Sequence, residues 1–267
     1  MSSTNHIPTF YHSGEIGDII YALKALSRKP RANLYLNVDL RLQWPGLLVA
    51  NPNKKLNKRE YLFIRNLLER QPYINDIVFG TPTHIDHNLN FFRHTIFNKT
   101  ELNFGDLFLD VCGYTTNKED AYTPWVFCDI KREYPITVIR VPRRTNQNFP
   151  WRKITEKYKN DMIFLGTKAE YLEFVEVSGK AIAWKDYTNM LSICEVMNGA
   201  KLHIGNCTSI TVCAEALKKP MIFENDTDHT FIRHATHQFY RKNRFNVDTD
   251  MCNDDTIMEK INTFLQH

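Results

Sequence analysis

No apolar run in the sequence approaches the roughly 20 residues that a membrane-spanning helix needs, which argues against an integral helical membrane protein. The first residues, MSSTNHIPTFYHSG, lack a cationic start followed by an apolar stretch, so no secretory leader is expected and a cytoplasmic location is. None of the six cysteines forms a C-x-x-C pair, and their spacing fits neither a disulfide framework nor a zinc site. Buried thiols in a reducing compartment are the expectation. His84-x-x-His87 and His234-x-x-His237 have no third ligand at a recognisable spacing, so no metal site is expected. G-x-G-x-x-G, a Walker P-loop and a G-x-S-x-G elbow are all missing, which weakens nicotinamide, P-loop and serine-hydrolase readings. Internal repeats and low-complexity segments are missing too.

What is present is ordinary globular composition: 267 residues, 43% hydrophobic and 24% charged, with a formal charge of +4. The cations are unevenly placed. Nine Lys and Arg fall between Lys131 and Asn160, opposed only by Glu133 and Glu156. Smaller clusters, Lys54-Lys55 with Lys58-Arg59, and Arg241-Lys242 with Arg244, lie elsewhere. Clustered cations suit phosphate-bearing partners; each cluster alone also reads as a solvated face.

Short apolar runs alternate with helical periodicity along the whole chain. Ile7–Tyr11, Leu34–Val38 and Ile77–Phe79 read as strands, and Ile16 to Leu26, Tyr61–Leu68 and Phe104–Cys112 as helices. The stretch Ala121–Tyr134 has no clear period and is taken as the boundary between residues 1–130 and 131–267. Beyond it, Ile136–Val141, Met162–Leu165, Ala181–Trp184, Leu202–Ile204 and Pro220–Phe223 read as strands. Trp151–Tyr158, Lys168–Val175, Tyr187–Met197, Ile210–Leu217 and a C-terminal Asp254–Leu265 read as helices. Such alternation predicts an α/β protein of two Rossmann-like domains with a cleft between them.

Four places could carry chemistry. The first is His12-Ser13-Gly14-Glu15-Ile16-Gly17-Asp18, where a strand gives way to a helix, the usual ligand edge of an open α/β sheet. Asp18 also fits a plain structural role, complementing the helix dipole from the first turn. His12 could assist proton transfer or be an ordinary loop histidine. The second is Gly205-Asn206-Cys207-Thr208-Ser209, a polar turn before a helix, either a phosphate cradle or a simple N-cap. The third is Glu215, six residues after Ser209, either a ribose-binding acid or an exposed helical glutamate. The fourth is Arg140-Val141-Pro142-Arg143-Arg144, whose guanidinium groups could grip phosphate oxygens. Gly166, at the end of Met162–Leu165, is counted with the donor side. Asp226-Thr227-Asp228 and Asp248-Thr249-Asp250 have the spelling of a metal-binding pair but lie outside these places and read as solvated loops.

Taken together, GEIGDIIYALKAL and LSICEVMNGAKLHIGNCTSITVCAEALKKPMIFE resemble the opening and nucleotide-binding segments of the heptosyltransferase-like glycosyltransferases. The resemblance implies a GT-B fold, with residues 1–130 holding the acceptor and residues 131–267, including the C-terminal helix, holding the donor. It implies inverting, metal-independent transfer of a sugar from a nucleotide-diphosphate sugar to an acceptor hydroxyl. Asp18 would be the general base, Thr208 and Ser209 the phosphate turn, Glu215 the ribose acid, and Arg143 or Arg144 the cation at the diphosphate. Ser13, Gly14, Glu15 and Gly17 would form the acceptor-side loop. No cofactor is implied beyond the nucleotide-sugar co-substrate. The turn departs from the family's D-[ST]-G-x-x-H, with Cys207 at the acid and Val212 at the histidine, and Lys24 replaces a common proline. Two alternatives stay open. One is a phage-type enzyme that glycosylates a hydroxymethylated base in DNA, in the host cytoplasm, in place of a saccharide. The other is a non-catalytic nucleotide-sugar-binding module.

Overall fold

The polar turns and short apolar runs resolve into two parallel sheets in the computed structural model, which describes residues 6–38, 56–80, 82–95, 99, 102–225, 246–248 and 254–266. The first sheet holds β1 (Thr9–His12), β2 (Ala32–Leu36), β3 (Ile74–Phe79) and β4 (His87–Asn88) in the order β3-β2-β1-β4. The second holds β5 (Ile136–Ile139), β6 (Met162–Phe164), β7 (Ala183–Trp184), β8 (Leu202–Gly205), β9 (Met221–Phe223) and β10 (Asn246–Asp248) in the order β10-β9-β8-β5-β6-β7. Every pairing is parallel. Each half therefore reverses its strand order once, between β1 and β4 and between β5 and β8. Parallel sheets of this kind bind ligands outside the carboxyl ends of the strands at such reversals.

The strands expected from apolar runs are present, with ends shifted by one to three residues. β4 and the short helix α3 (Phe92–Thr95) have no apolar run to announce them; β4 is two residues long and adds only two register pairs to β1.

Helix α1 (Ile16–Leu26) is buried from Ile19 through Leu26, Lys24 included. Helix α8 (Ser209–Ala216) is buried from Thr211 through Ala216. Helices buried on all sides need partners on all sides. α1 packs on α8 and on α4 (Phe104–Val111), while α2 (Lys58–Glu69) packs on α7 (Met190–Gly199). One continuous apolar core consequently runs through both halves, from Phe10 and Leu34 to Val212 and Phe223. A second core lies within the other face of the second sheet, joining α5 (Trp151–Tyr158) and α6 (Lys168–Ser178) to Ile257 and Ile261 of the C-terminal helix α9 (Asp254–Gln266).

The aperiodic connector between the sheets is fixed by Trp125. Its backbone N–H donates to Ala216 O at 3.0 Å and its indole N–H to Ile20 O at 2.9 Å, tying α8 to α1. Lys24 and Lys218 lie over its ring at 5.1 and 4.8 Å, and Lys24 forms a buried 2.7 Å ion pair with Asp106. Lys24 stands where proline would remove this cation. Among the described residues no helix is long and apolar enough to cross a membrane.

Candidate functional site

The amino end of α1 begins where β1 ends. Gly14 is buried there because nothing larger fits: a Cβ would stand 2.4 Å from His12 Cε1, 2.9 Å from Asp18 Oδ2 and 3.1 Å from Arg93 Nη2. Asp18, in the first turn of α1, accepts from Arg93 Nη2 at 2.7 Å, and both side chains are 28% exposed. Arg93 comes from α3, beyond β4, so the pair bridges the first reversal point. Sequence reasoning missed it, because an arginine in NFFRHT carries no motif.

Asn90 closes the same gap from below. Its Oδ1 accepts from Ser13 N at 3.0 Å and from the Ser13 hydroxyl at 2.6 Å, so the buried Ser13 belongs to the loop's framework. Glu15 is exposed at the N-cap of α1 and makes no side-chain cap. His12 is fully buried against Phe92 and Phe108. Its Nδ1 accepts from Gly14 N–H at 2.8 Å, and burial, helped by Arg93, pushes it down to about 3. The enclosed imidazole thus shapes the loop through Gly14 N–H, and its protonated form is disfavoured at physiological pH.

The second reversal point is built the same way. The buried Asn206 accepts from Val141 N at 3.0 Å and donates to Val141 O at 2.8 Å and Arg144 O at 2.6 Å. It thereby holds the arginine loop after β5 against the turn after β8. Thr208 caps α8, accepting from Thr211 N at 3.1 Å, while Thr211 Oγ1 donates to Asn206 O at 2.6 Å. The Thr208 hydroxyl is thus engaged in the cap, and the amides of Ser209 and Ile210 are the first-turn donors that an α-helix leaves without an acceptor of its own. Arg144 donates to Cys207 Sγ and is half-buried, and Arg143 is exposed. Burial pushes the Cys207 thiol up to about 11 against the pull of Arg144, so it is neutral at physiological pH.

Two expected donor residues turn inward. Arg140 is 5% exposed and pairs with the fully buried Glu224 at 3.3 Å. Glu224 also accepts from Asn146 N at 2.9 Å and Trp151 Nε1 at 3.0 Å; burial raises its carboxyl above the usual range. Arg140 is thereby committed to Glu224 and shapes the loop. Glu215 is 2% exposed and ion-paired with Lys218 in the last turn of α8, about 9 Å along the axis from Ser209. It is not an exposed glutamate. Gly166 lies two residues beyond β6, and its carbonyl accepts from Trp184 Nε1 at 3.0 Å. A Cβ at Gly166 would lie 2.5 Å from the Phe164 ring and 2.8 Å from Ile139 Cδ1.

The two helix starts meet. A Cβ on Gly17 would lie 3.7 Å from both Ser209 Cα and Val212 Cγ2, so the starts of α1 and α8 touch. Val212, where the family has histidine, forms part of that contact. Tyr21, buried between the helices, has its phenol raised well above the usual range by burial first, then by the fields of Cys207, Glu215 and Asp18.

His84 does not pair with His87. Its Nε2 lies 3.1 Å from Asp86 Oδ1, and His6 Nε2 lies 3.0 Å from both Asp86 oxygens. Partial burial pushes the Asp86 carboxyl up, but the Thr9 N–H and the two imidazoles outweigh it and hold it at about 2. His234, His237, Asp226-Thr227-Asp228, Lys54-Lys55 and the Arg241–Arg244 cluster lie outside the described residues, as do residues 249 and 250.

No protein-family model matches the sequence, and no curated protein matches it by sequence. Solved structures do match over nearly the whole chain. The Escherichia coli heptosyltransferase WaaC, solved with ADP-2-deoxy-2-fluoro heptose, aligns at a TM-score of 0.58 with 9% identity, covering 97% of this chain and 99% of that one. A glycosyl transferase of family 9 from Veillonella parvula aligns at 0.59 with 9% identity, covering 100% and 99%. The dodecameric iron-containing heptosyltransferase TibC, in complex with ADP-D-beta-D-heptose, aligns at 0.53 with 9% identity over 92% of this chain and 64% of that one. At this identity the likeness establishes a shared fold.

Proposed function

We propose that the chain is a glycosyltransferase of the GT-B type, with residues 1–130 presenting the acceptor and residues 131–267 the nucleotide-diphosphate-sugar donor. The observation that carries the reading is the close approach of Gly17 on α1 to Ser209 on α8, which brings the half-buried carboxylate of Asp18 near a helix start with Arg144 at its turn. The shared fold with proteins solved with ADP-heptose ligands supports the nucleotide-sugar assignment.

Transfer with inversion needs three things from these residues. Asp18 takes the proton from the acceptor hydroxyl as its oxygen bonds to the anomeric carbon. Arg93 fixes the direction in which the carboxylate points. The bond from the anomeric carbon to the diphosphate oxygen breaks, and the charge gathered on the leaving nucleoside diphosphate is met by the amino end of α8, Ser209 and Arg144, with Arg143 at the rim. A neutral Cys207 in place of the family's acid leaves that cradle more positive, which favours a diphosphate. Neither base nor cradle calls on a metal ion.

Donor hydrolysis is the direct test, since it needs no knowledge of the acceptor. Slow release of free sugar from one nucleotide sugar, lost in Asp18→Asn, is the expected result. Tight nucleotide binding with no turnover of any sugar would instead identify a binding module. Acceptor class is then separated by offering phosphorylated saccharides and hydroxymethylated DNA in parallel, with a steep loss of affinity in salt marking DNA.

A further inference from the structure

The amino edge of the first sheet carries a second cluster, at the opposite end of β1 from Asp18. His6 precedes β1, and His84 and Asp86 precede β4. Their ligand atoms, His6 Nε2, His84 Nε2 and an Asp86 oxygen, all lie within 4.8 Å of one another. The two imidazoles converge on one carboxylate at 3.0 and 3.1 Å, their rings edge to face at 6.1 Å.

We propose that His6, His84 and Asp86 form a binding site for a divalent transition-metal ion such as Zn2+ or Co2+, with water completing the shell. Two imidazoles and one carboxylate are a borderline donor set that suits first-row transition metals better than Mg2+ or Ca2+. The spacing fits as well. Metal bonds of about 2.1 Å put neighbouring ligand atoms about 3.0 Å apart in an octahedral shell and about 3.4 Å apart in a tetrahedral one, close to the imidazole–carboxylate spacings here. The carboxylate is held in place before any ion arrives, because Asp86 Oδ2 accepts from Thr9 N at 2.8 Å and Asp86 N donates to Thr9 O at 3.1 Å. Such outer contacts fix the direction of a ligating carboxylate. The histidine side chains are 62% and 71% exposed, so entry is open and water can take the remaining positions.

The ion would clip the chain ahead of β1 to the loop ahead of β4. β1 is only four residues long, so the site sits about 10 Å from its carboxyl end, outside the crevice proposed for sugar transfer. The role assigned is structural, and it stands whether or not the chain transfers a sugar. Sequence spacing hid it, because its third ligand, His6, lies 78 residues before His84, as the numbering gives (84 − 6).

The test is isothermal titration of the tag-free full chain with Zn2+ and Co2+, beside His6→Gln and His84→Gln. One equivalent should bind the parent, and each variant should bind at least tenfold more weakly. No stoichiometric uptake, or uptake unchanged in both variants, overturns the site and leaves a hydrogen-bonded surface triad. A second reading avoids variants. Zn2+ should protect both His6 and His84 of the parent from diethyl pyrocarbonate, followed by mass spectrometry; equal modification with and without Zn2+ contradicts the proposal.

Discussion

Arg93 Nη2 donates to Asp18 Oδ2 at 2.7 Å, and the pair spans the reversal point between β1 and β4. Asp18 sits on α1 and Arg93 on α3, so the direction of the carboxylate depends on two elements 75 residues apart in sequence. Asp18→Asn should lower turnover by at least about a hundredfold while leaving nucleotide affinity within twofold, as expected for loss of a general base. Arg93→Ala should lower turnover less and leave nucleotide affinity alone. Donor-hydrolysis rates beside titration of the nucleotide check both.

Gly14 lies over this pair. Gly14→Ala puts a methyl group 2.9 Å from Asp18 Oδ2 and 2.4 Å from His12 Cε1, so the loop must shift. A destabilisation of about 1–3 kcal/mol is expected, with turnover falling further than stability explains. Urea denaturation and hydrolysis assays on the same preparation separate the two effects.

Asn206 and Asn90 perform one task in the two halves, each accepting a backbone N–H at 3.0 Å from the loop after the first strand of its own sheet. Asn206→Ala strands Val141 N and two carbonyls. It should cost roughly 2–3 kcal/mol and loosen the Arg143–Arg144 loop, weakening nucleotide binding. Asn206→Asp retains the acceptor for Val141 N but sets a buried carboxylate against the two carbonyl oxygens, and should cost at least as much as alanine. Unfolding midpoints and nucleotide titration order the three chains.

How much of this was legible beforehand differs by residue. Apolar runs are a local signal, so Ile136–Ile139 and Met162–Phe164 announce themselves, and so do the polar turns that follow strands. β4 spans two residues, His87 and Asn88, and has no run to read. Asp18 was found because helix starts are marked in sequence, whereas Arg93 and Asn90 became partners only through the fold. Arg140 and Arg144 look alike in sequence, yet Glu224, brought in by β9 from 84 residues away, draws Arg140 inward and leaves Arg144 at the turn. The burial of Glu215 is hidden for the same reason, since α8 is buried on faces that only the packing of α1 creates.

Acid should unfold the chain through its enclosed histidines. His12 and His203 are fully buried and pushed down from 6.5 to about 3, by burial in both and by Arg93 also at His12. The unfolded chain takes up these protons first as pH falls, so the stability is intact above 6.5 and is lost between 6.5 and about 3. At about 1.4 kcal/mol per unit, each histidine removes roughly 2 kcal/mol by pH 5. Urea midpoints at pH 7.5 and 5 measure the loss. His203→Gln should reduce that difference by about half, since glutamine can still bond Thr137 and Thr211 but cannot titrate.

The donor site proposed here places a nucleoside diphosphate between the start of α8 and Arg144. The measurement that meets it most directly is calorimetric titration of the parent and Arg144→Ala with UDP, GDP, ADP and CMP and with their common sugar conjugates. One nucleotide should bind selectively to the parent, and at least tenfold more weakly to Arg144→Ala. Failure of every nucleotide to bind at millimolar concentration, or equal binding by both chains, would contradict the donor site.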